Sequence, residues 1–332
     1  MMKALVFEKG GLDNLKVRDV EKPMVSSHDV LIKIKIAGVN PVDRFVVELT
    51  REVRPIPHIP GSEFAGVVDE VGDHVTDLKK GERVIVYNRV FDDTCDMCLS
   101  KSEMLCRTGG IRGVITNGGF AEYTTVPERN AFKIPEEVSW EVAASLPVSA
   151  LTPYHALMEA GLKAYETLAV FGASGNTGSF AIQFGRKFGA KVIAVSRKNW
   201  IRDFGADDVL AYQDVIGRIK EITLGKMADV VLNSLGSEMW LTALDVTGLK
   251  GRLVFFGVLT GSKVDLALDR IYAKQIKIIG TTGGTRKELQ ELIGISTSLN
   301  VRVWKKFKLE DGAKALKALS DYERDGRILL EI

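Results

Sequence analysis

A chain of 332 residues is long for a single hydrophobic core, and two domains are the expectation. Lys+Arg 45 against Asp+Glu 43 leaves a net charge of +2, which speaks against a nucleic-acid or membrane-surface binder. No apolar run approaches the roughly 20 residues that span a bilayer, and three cysteines crowded between positions 95 and 106 make no disulfide framework, so the reading is a soluble, cytoplasmic protein.

The first seven residues are too short an apolar stretch for a signal peptide and read as a strand. Residues 30–36 alternate apolar and polar side chains, the period of a half-buried antiparallel strand, and 64–72 and 81–87 add short strands between turn residues. A β domain over 1–125 follows. Inside it, Asp92-x2-Cys95-x2-Cys98-x7-Cys106 has the close spacing of a structural zinc lobe. Structural zinc takes four ligands, so Asp92 is the candidate fourth beside Cys95, Cys98 and Cys106, with Asp93 in reserve; the alternative is a loop of reduced thiols. None of the four histidines, His28, His58, His74 and His155, stands at ligand spacing to a cysteine or to another histidine. A catalytic zinc is therefore not expected.

Beyond about residue 135 the pattern changes. Residues 140–157 and 179–188 read as helix, and 167–171, 192–195, 230–232, 252–256 and 276–279 as short apolar strands. Strands alternating with helices predict a parallel sheet covered on both faces. The tail from about 290 returns to helix and strand. The expected division is 1–125 with 290–332, and 126–289.

Gly172-Ala173-Ser174-Gly175-Asn176-Thr177-Gly178 follows an apolar strand and opens a helix. Glycines there let backbone approach a pyrophosphate, and the helix N-terminus favours its negative charge. The predicted ligand is a nicotinamide dinucleotide; the alternative is a glycine-rich turn in an unrelated α/β domain. After the second strand an NAD site places an acid for the ribose hydroxyls. Here Ser196-Arg197-Lys198 stands instead, a hydroxyl and two cations suited to a 2′-phosphate, so NADPH is preferred over NADH. The bland alternative is a solvated basic loop.

Several motifs together resemble the medium-chain dehydrogenase/reductase superfamily along essentially the whole chain. They are Ala37-Gly38-Val39-Asn40-Pro41-Val42-Asp43, Pro60-Gly61-Ser62-Glu63-Phe64-Ala65-Gly66, the cysteine lobe, Gly119-Phe120-Ala121-Glu122-Tyr123, the glycine loop, Gly257, and Gly280-Thr281-Thr282-Gly283-Gly284-Thr285-Arg286. The resemblance implies a GroES-like β domain joined to a doubly wound parallel Rossmann domain, an α/β architecture with the active site between them and Gly257 among the cofactor-binding residues. The zinc alcohol dehydrogenases carry Cys where this chain has Asn40 and His where it has Ser62, and no Cys, His or acid lies in 147–152 to replace their third ligand. The departures resemble the zinc-less quinone oxidoreductase and enoyl reductase branch. The lobe with Asp as first ligand resembles acryloyl-CoA reductases of the superfamily.

Without a Lewis acid nothing would stabilise an alkoxide, whereas a conjugated carbonyl can take hydride at its β-carbon and pass the charge to an enolate oxygen held by donors. The expected activity is therefore NADPH-dependent reduction of an activated C=C bond or a quinone. Asn40 would position substrate or nicotinamide and Thr152 would lie near the nicotinamide amide, neither as a strong acid or base. The competing readings are an alcohol dehydrogenase with an atypical metal site and a catalytically silent NADPH-binding protein. A homodimer or homotetramer acting on a small-molecule substrate, with no nucleic-acid or membrane partner, completes the expectation.

Overall fold

The computed structural model describes residues 1–49 and 52–332, and divides them into two compact units, Met1–Val148 with Thr285–Ile332, and Ser149–Gly284. The first unit is built on a seven-stranded sheet. Its order runs Val303–Lys308, Arg327–Glu331, Asp29–Gly38, Phe64–Val71, Arg83–Val86, Ala131–Lys133, with Tyr123–Pro127 also pairing to Asp29–Gly38. Pairing is antiparallel except between Val303–Lys308 and Arg327–Glu331. The alternation read in 30–36 appears as Ile32 and Ile34 in the core and Lys33 and Lys35 outside. Phe7, Phe64 and Phe120 fill the same core under a separate antiparallel pair, Met2–Val6 with Lys16–Val20.

The second unit is a six-stranded parallel sheet ordered Asp208–Leu210, Lys191–Val195, Thr167–Phe171, Ala228–Asn233, Thr247–Phe255, Lys277–Gly280. Numbered along the chain this is 3-2-1-4-5-6, the order of a Rossmann fold, whose ligands sit at the carboxyl ends where the winding reverses. Phe171, Ile193, Val195, Val231 and Leu253 are buried, as strands covered on both faces require. Among the described residues no helix is long and apolar enough to cross a membrane.

The seams differ from the expected 125/126 and 289/290. Residues 126–148 stay with the first unit because Ala131–Lys133 hydrogen-bonds to Arg83–Val86 and the helix Trp140–Ala143 packs on the Asp29–Gly38 and Phe64–Val71 strands. Thr285 caps the helix Arg286–Ile295, which buries Leu289 and Leu292 and belongs to the first unit. The single helix read over 140–157 is also broken. Trp140–Ala143 and Leu151–Glu159 are α-helical, and Leu146–Ala150 between them is a π-helical turn. Pro147 lacks the N–H that an α-helix would use there, and the N–H of Val148 turns to a side chain instead, the Glu63 carboxylate at 2.7 Å.

Candidate functional site

Glu63 lies just before the Phe64–Val71 strand and is fully buried. Arg327, which opens the Arg327–Glu331 strand, meets it with Nη2 on Oε2. Asn40 bridges the pair: its Nδ2 donates to Glu63 Oε2 at 2.8 Å and its Oδ1 accepts from Arg327 Nη1 at 2.8 Å. Arg327 Nε donates to Ser145 Oγ at 3.2 Å. The pair can lie this close to the sheet only because residue 38 is glycine; a Cβ there would stand 2.1 Å from Arg327 Nη2 and 2.8 Å from Glu63 Oε2.

Asn40 also precedes the helix Pro41–Val47, with Pro41 pre-set for its first turn. Asp43 accepts from the backbone N–H groups of Asn40 and Ser62, each at 2.8 Å, so one carboxylate ties two of the sequence motifs together. Burial pushes Asp43 up to about 6, reinforced by the neighbouring Glu63 and opposed by those hydrogen bonds. Asn40 and Ser62, read as standing where a catalytic metal would need soft or imidazole ligands, are thus adjoining members of one buried polar network.

The metal lobe assembles as its spacing suggested. Cys95 caps the short helix Asp96–Leu99, Cys98 lies inside it, and Cys106 closes the turn Glu103–Leu105. One ligand atom each from Asp92, Cys95, Cys98 and Cys106 lies within 4.8 Å of the others, the one such convergence of donors among the described residues. Asp93 is not in the group; its carboxylate pairs with Arg129 at 3.0 Å. Asp92 Oδ1 accepts from the backbone of Thr94 and Cys95 and Oδ2 from the Thr108 hydroxyl, which hold the carboxyl well below its usual range. The Asp92 N–H donates to Cys106 Sγ at 3.4 Å, the kind of support that orients a thiolate ligand. Burial and the neighbouring Cys95 and Cys106 sulfurs push the Cys98 thiol up to about 12, whereas at Cys106 burial is outweighed by hydrogen bonds from Asp92, Thr108 and Cys98, which lower the thiol. Three sulfurs and one carboxylate fit a four-coordinate zinc.

In the second unit the carboxyl ends of the strands carry the predicted dinucleotide residues. Gly172 leaves the Thr167–Phe171 strand at φ +75, and a Cβ on Gly178 would stand 2.2 Å from Gly172 O, so the helix Gly178–Lys187 can start this close to the strand only with glycine at its first position. Ser174, Gly175, Asn176 and Thr177 form the half-buried turn between them. Ser196, at the end of Lys191–Val195, is buried and its Oγ accepts from Lys198 N at 2.9 Å, which folds the basic loop back on its own strand. Arg197 is exposed, and no acid stands between Val195 and Lys198. Gly257 follows the Thr247–Phe255 strand.

Sequence reasoning passed over Tyr212, Asn233 and Ser234. Tyr212 hydrogen-bonds the Gly172 backbone and has Arg197 as a charged neighbour; burial raises its hydroxyl against both. Asn233 ends the Ala228–Asn233 strand fully buried and accepts from the N–H groups of Leu235 and Gly236, while Ser234 Oγ donates to Phe171 O at 3.2 Å. The signal was available: two polar residues directly after an apolar strand at the fold's reversal point. Thr152 lies half-buried in the helix Leu151–Glu159 of this unit, while Asn40 belongs to the other.

Residues 26–136 match the family model described as "Alcohol dehydrogenase GroES-like domain", and residues 177–298 that described as "Zinc-binding dehydrogenase". An alcohol dehydrogenase of Geobacillus stearothermophilus is 33% identical over 340 residues, covering 100% of both chains. The human quinone oxidoreductase is 29% identical over 303 residues, covering 88% of this chain and 84% of its own. A cobalt- and zinc-bound thermostable alcohol dehydrogenase from Pyrobaculum aerophilum superimposes with a TM-score of 0.93 at 38% identity, covering 100% of this chain and 99% of that one.

Proposed function

The chain belongs to the medium-chain dehydrogenase/reductase superfamily, a family of oxidoreductases, and we propose that within it the protein is an NADPH-dependent reductase of an activated C=C bond or a quinone that works without a catalytic zinc. The observation that carries this reading is Asn40, whose amide is held between the Glu63 carboxylate and the Arg327 guanidinium. A divalent ion at this point would face a fixed cation and find neither thiolate nor imidazole at positions 40 and 62. Asn40 is on this reading a positioning residue.

Gly172, Ser174, Gly175, Asn176, Thr177 and Gly178 would hold the pyrophosphate, Ser196, Arg197 and Lys198 the 2′-phosphate, and Gly257 would leave room beside the last strands. Bound NADPH supplies a hydride, which an enone, quinone or enoyl thioester can accept because its charge ends on an oxygen rather than on an unassisted alkoxide. Asp92, Cys95, Cys98 and Cys106 would hold one structural zinc per chain. Val258, Leu266, Leu268 and Tyr272 are exposed on the unit whose edge strand is Lys277–Gly280, which supports a homodimer or homotetramer.

The test is NADPH oxidation against a cyclic enone, a benzoquinone and an enoyl-CoA thioester, with oxidation of primary and secondary alcohols run beside it. Turnover of at least one acceptor well above any alcohol is expected. The names of the alcohol dehydrogenase relatives favour a second reading, alcohol oxidation at an atypical metal site. Alcohol oxidation matching the best acceptor, and dependent on a second metal per chain, would establish that reading in place of ours.

A further inference from the structure

Cys95 and Cys106 are half-buried, and their sulfurs stand 3.9 Å apart. Cys98, the third thiol of the lobe, is buried inside the helix Asp96–Leu99. Cys95 and Cys106 lie instead at element ends, one before that helix and the other after the turn Glu103–Leu105. The residues on either side of them, Thr94, Asp96, Leu105 and Arg107, are exposed. Contacts that need no metal hold the two side by side. Arg107, next to Cys106, donates from Nε and Nη2 to the two carboxylate oxygens of Asp96, next to Cys95, at 2.5 and 2.6 Å. A two-bond pair of this kind fixes geometry as well as distance. The Asp92 N–H, 3.4 Å from Cys106 Sγ, adds a further tie to that sulfur. A disulfide needs its sulfurs at about 2.05 Å, and because both residues end their elements, side-chain rotation can supply the approach without moving a helix.

We propose that Cys95 and Cys106 are a modification site for peroxide, which joins them in a disulfide and so empties the lobe of metal; the second half rests on the reading that the lobe holds zinc. The sulfur of one attacks a peroxide oxygen, breaking the O–O bond, and becomes a sulfenic acid as the first water leaves. The sulfur of the other attacks that sulfenic sulfur. The S–S bond forms as the S–O bond breaks, and the hydroxyl leaves as the second water. Two thiols give up two electrons and two protons, and hydrogen peroxide takes both to become two waters. Where the sulfurs are thiolates on zinc, solvent supplies the two protons, and the zinc itself does no redox chemistry. Three cysteines allow one such bridge and no second. Asp92 and Cys98 are then the donors left, half of the four that structural zinc takes. The bridge spans the same two element ends, so the lobe exchanges one cross-link for another rather than opening. The site lies wholly in the first unit and shares no residue with the glycine loop.

The test treats the full chain, reduced and loaded with zinc, with hydrogen peroxide. Free thiols are followed by alkylation and intact mass, freed zinc by a chromogenic chelator, and the bridge by peptide mapping. Loss of two of the three thiols is expected, with Cys95 mapped to Cys106 and one zinc released per bridge. Dithiothreitol should restore all three thiols. Cys98→Ser should still form the bridge and Cys95→Ser should form none; where circular dichroism shows a variant folding poorly, the map of the unmodified chain decides. The same bridge in a chain that takes up no zinc would sustain the modification site and overturn the metal reading alone. The proposal is overturned by a bridge through Cys98, by a bridge between two chains, by oxidation that dithiothreitol does not reverse, by zinc retained beside the bridge, or by three free thiols after treatment.

Discussion

Asp43 carries a charge that the fold gives almost no water to solvate. Its folded value of about 6 lies above the ordinary 3.8, because burial outweighs the two N–H groups it accepts from. The folded chain therefore holds this proton more tightly than the unfolded one. The stability it contributes is full below about 3.8 and is lost as pH rises through about 6. A shift of about two units is worth about 3 kcal/mol. Relative to Asp43→Asn, which cannot titrate, the unmodified protein should gain stability of that order as pH falls from 7 to 4, read from denaturant midpoints; a difference flat across that range refutes it. The cofactor prediction also belongs to single residues. Replacing Arg197 and Lys198 with Ala should erode a preference for NADPH over NADH, each charge-assisted contact being worth about 1.5–3 kcal/mol. Equal dissociation constants for the two cofactors in the unmodified protein would refute the phosphate reading. The sequence points to these two residues because they follow a strand whose end the glycine loop locates. The bonding of Asn40 is not legible there, since its partners lie 23 and 287 residues away.

The elements around the lobe are too short to persist unaided. A helix of four residues and a turn of three form too few hydrogen bonds to offset the cost of ordering them. What joins them is the convergence of Asp92, Cys95, Cys98 and Cys106. Chelation or Cys98→Ala should lower the melting temperature by several degrees, at the ~2–4 °C per kcal/mol of chains this size. Faster hydrogen exchange should be confined largely to 92–106, with the helix Gly178–Lys187 unaffected. Reduced protein that takes up no zinc even in excess would show instead that the thiols alone close the lobe. Other elements show where sequence reasoning reaches and stops. The strand Thr167–Phe171 was read to the residue because turn signals bound an apolar run. The helix over 140–157 was not, because the helical period runs unbroken through the π-turn at Leu146–Ala150. The seam at 125/126 failed for a related reason: Ala131–Lys133 offers three residues, too few for a period, and only its pairing to Arg83–Val86 identifies it as strand.

At the scale of the whole molecule the chemistry divides between the two units. The thiol lobe belongs to the first unit, as does the Asn40–Glu63–Arg327 network, and the dinucleotide loop to the second. If the metal serves only the lobe, stability and turnover should come apart. Zinc is to be removed at a temperature where circular dichroism still reports native structure, and both reaction directions assayed. Reduction of the enone, quinone or thioester with NADPH should persist, because the groups proposed to act on it, Asn40 held by Glu63 and Arg327, the glycine loop and the basic turn after Val195, include no metal ligand. Oxidation of simple alcohols should be negligible before and after, since no Lewis acid would stabilise the alkoxide. The discriminating readout is the reductase rate at constant ellipticity. A loss of stability lowers that rate only as the ellipticity falls, whereas removal of a catalytic metal abolishes it while the fold remains and returning zinc restores it. Reductase activity that vanishes and returns with zinc at constant ellipticity would therefore place a metal in the reaction itself. An unchanged reductase rate, with a lowered melting temperature, would confine the metal to holding the lobe together.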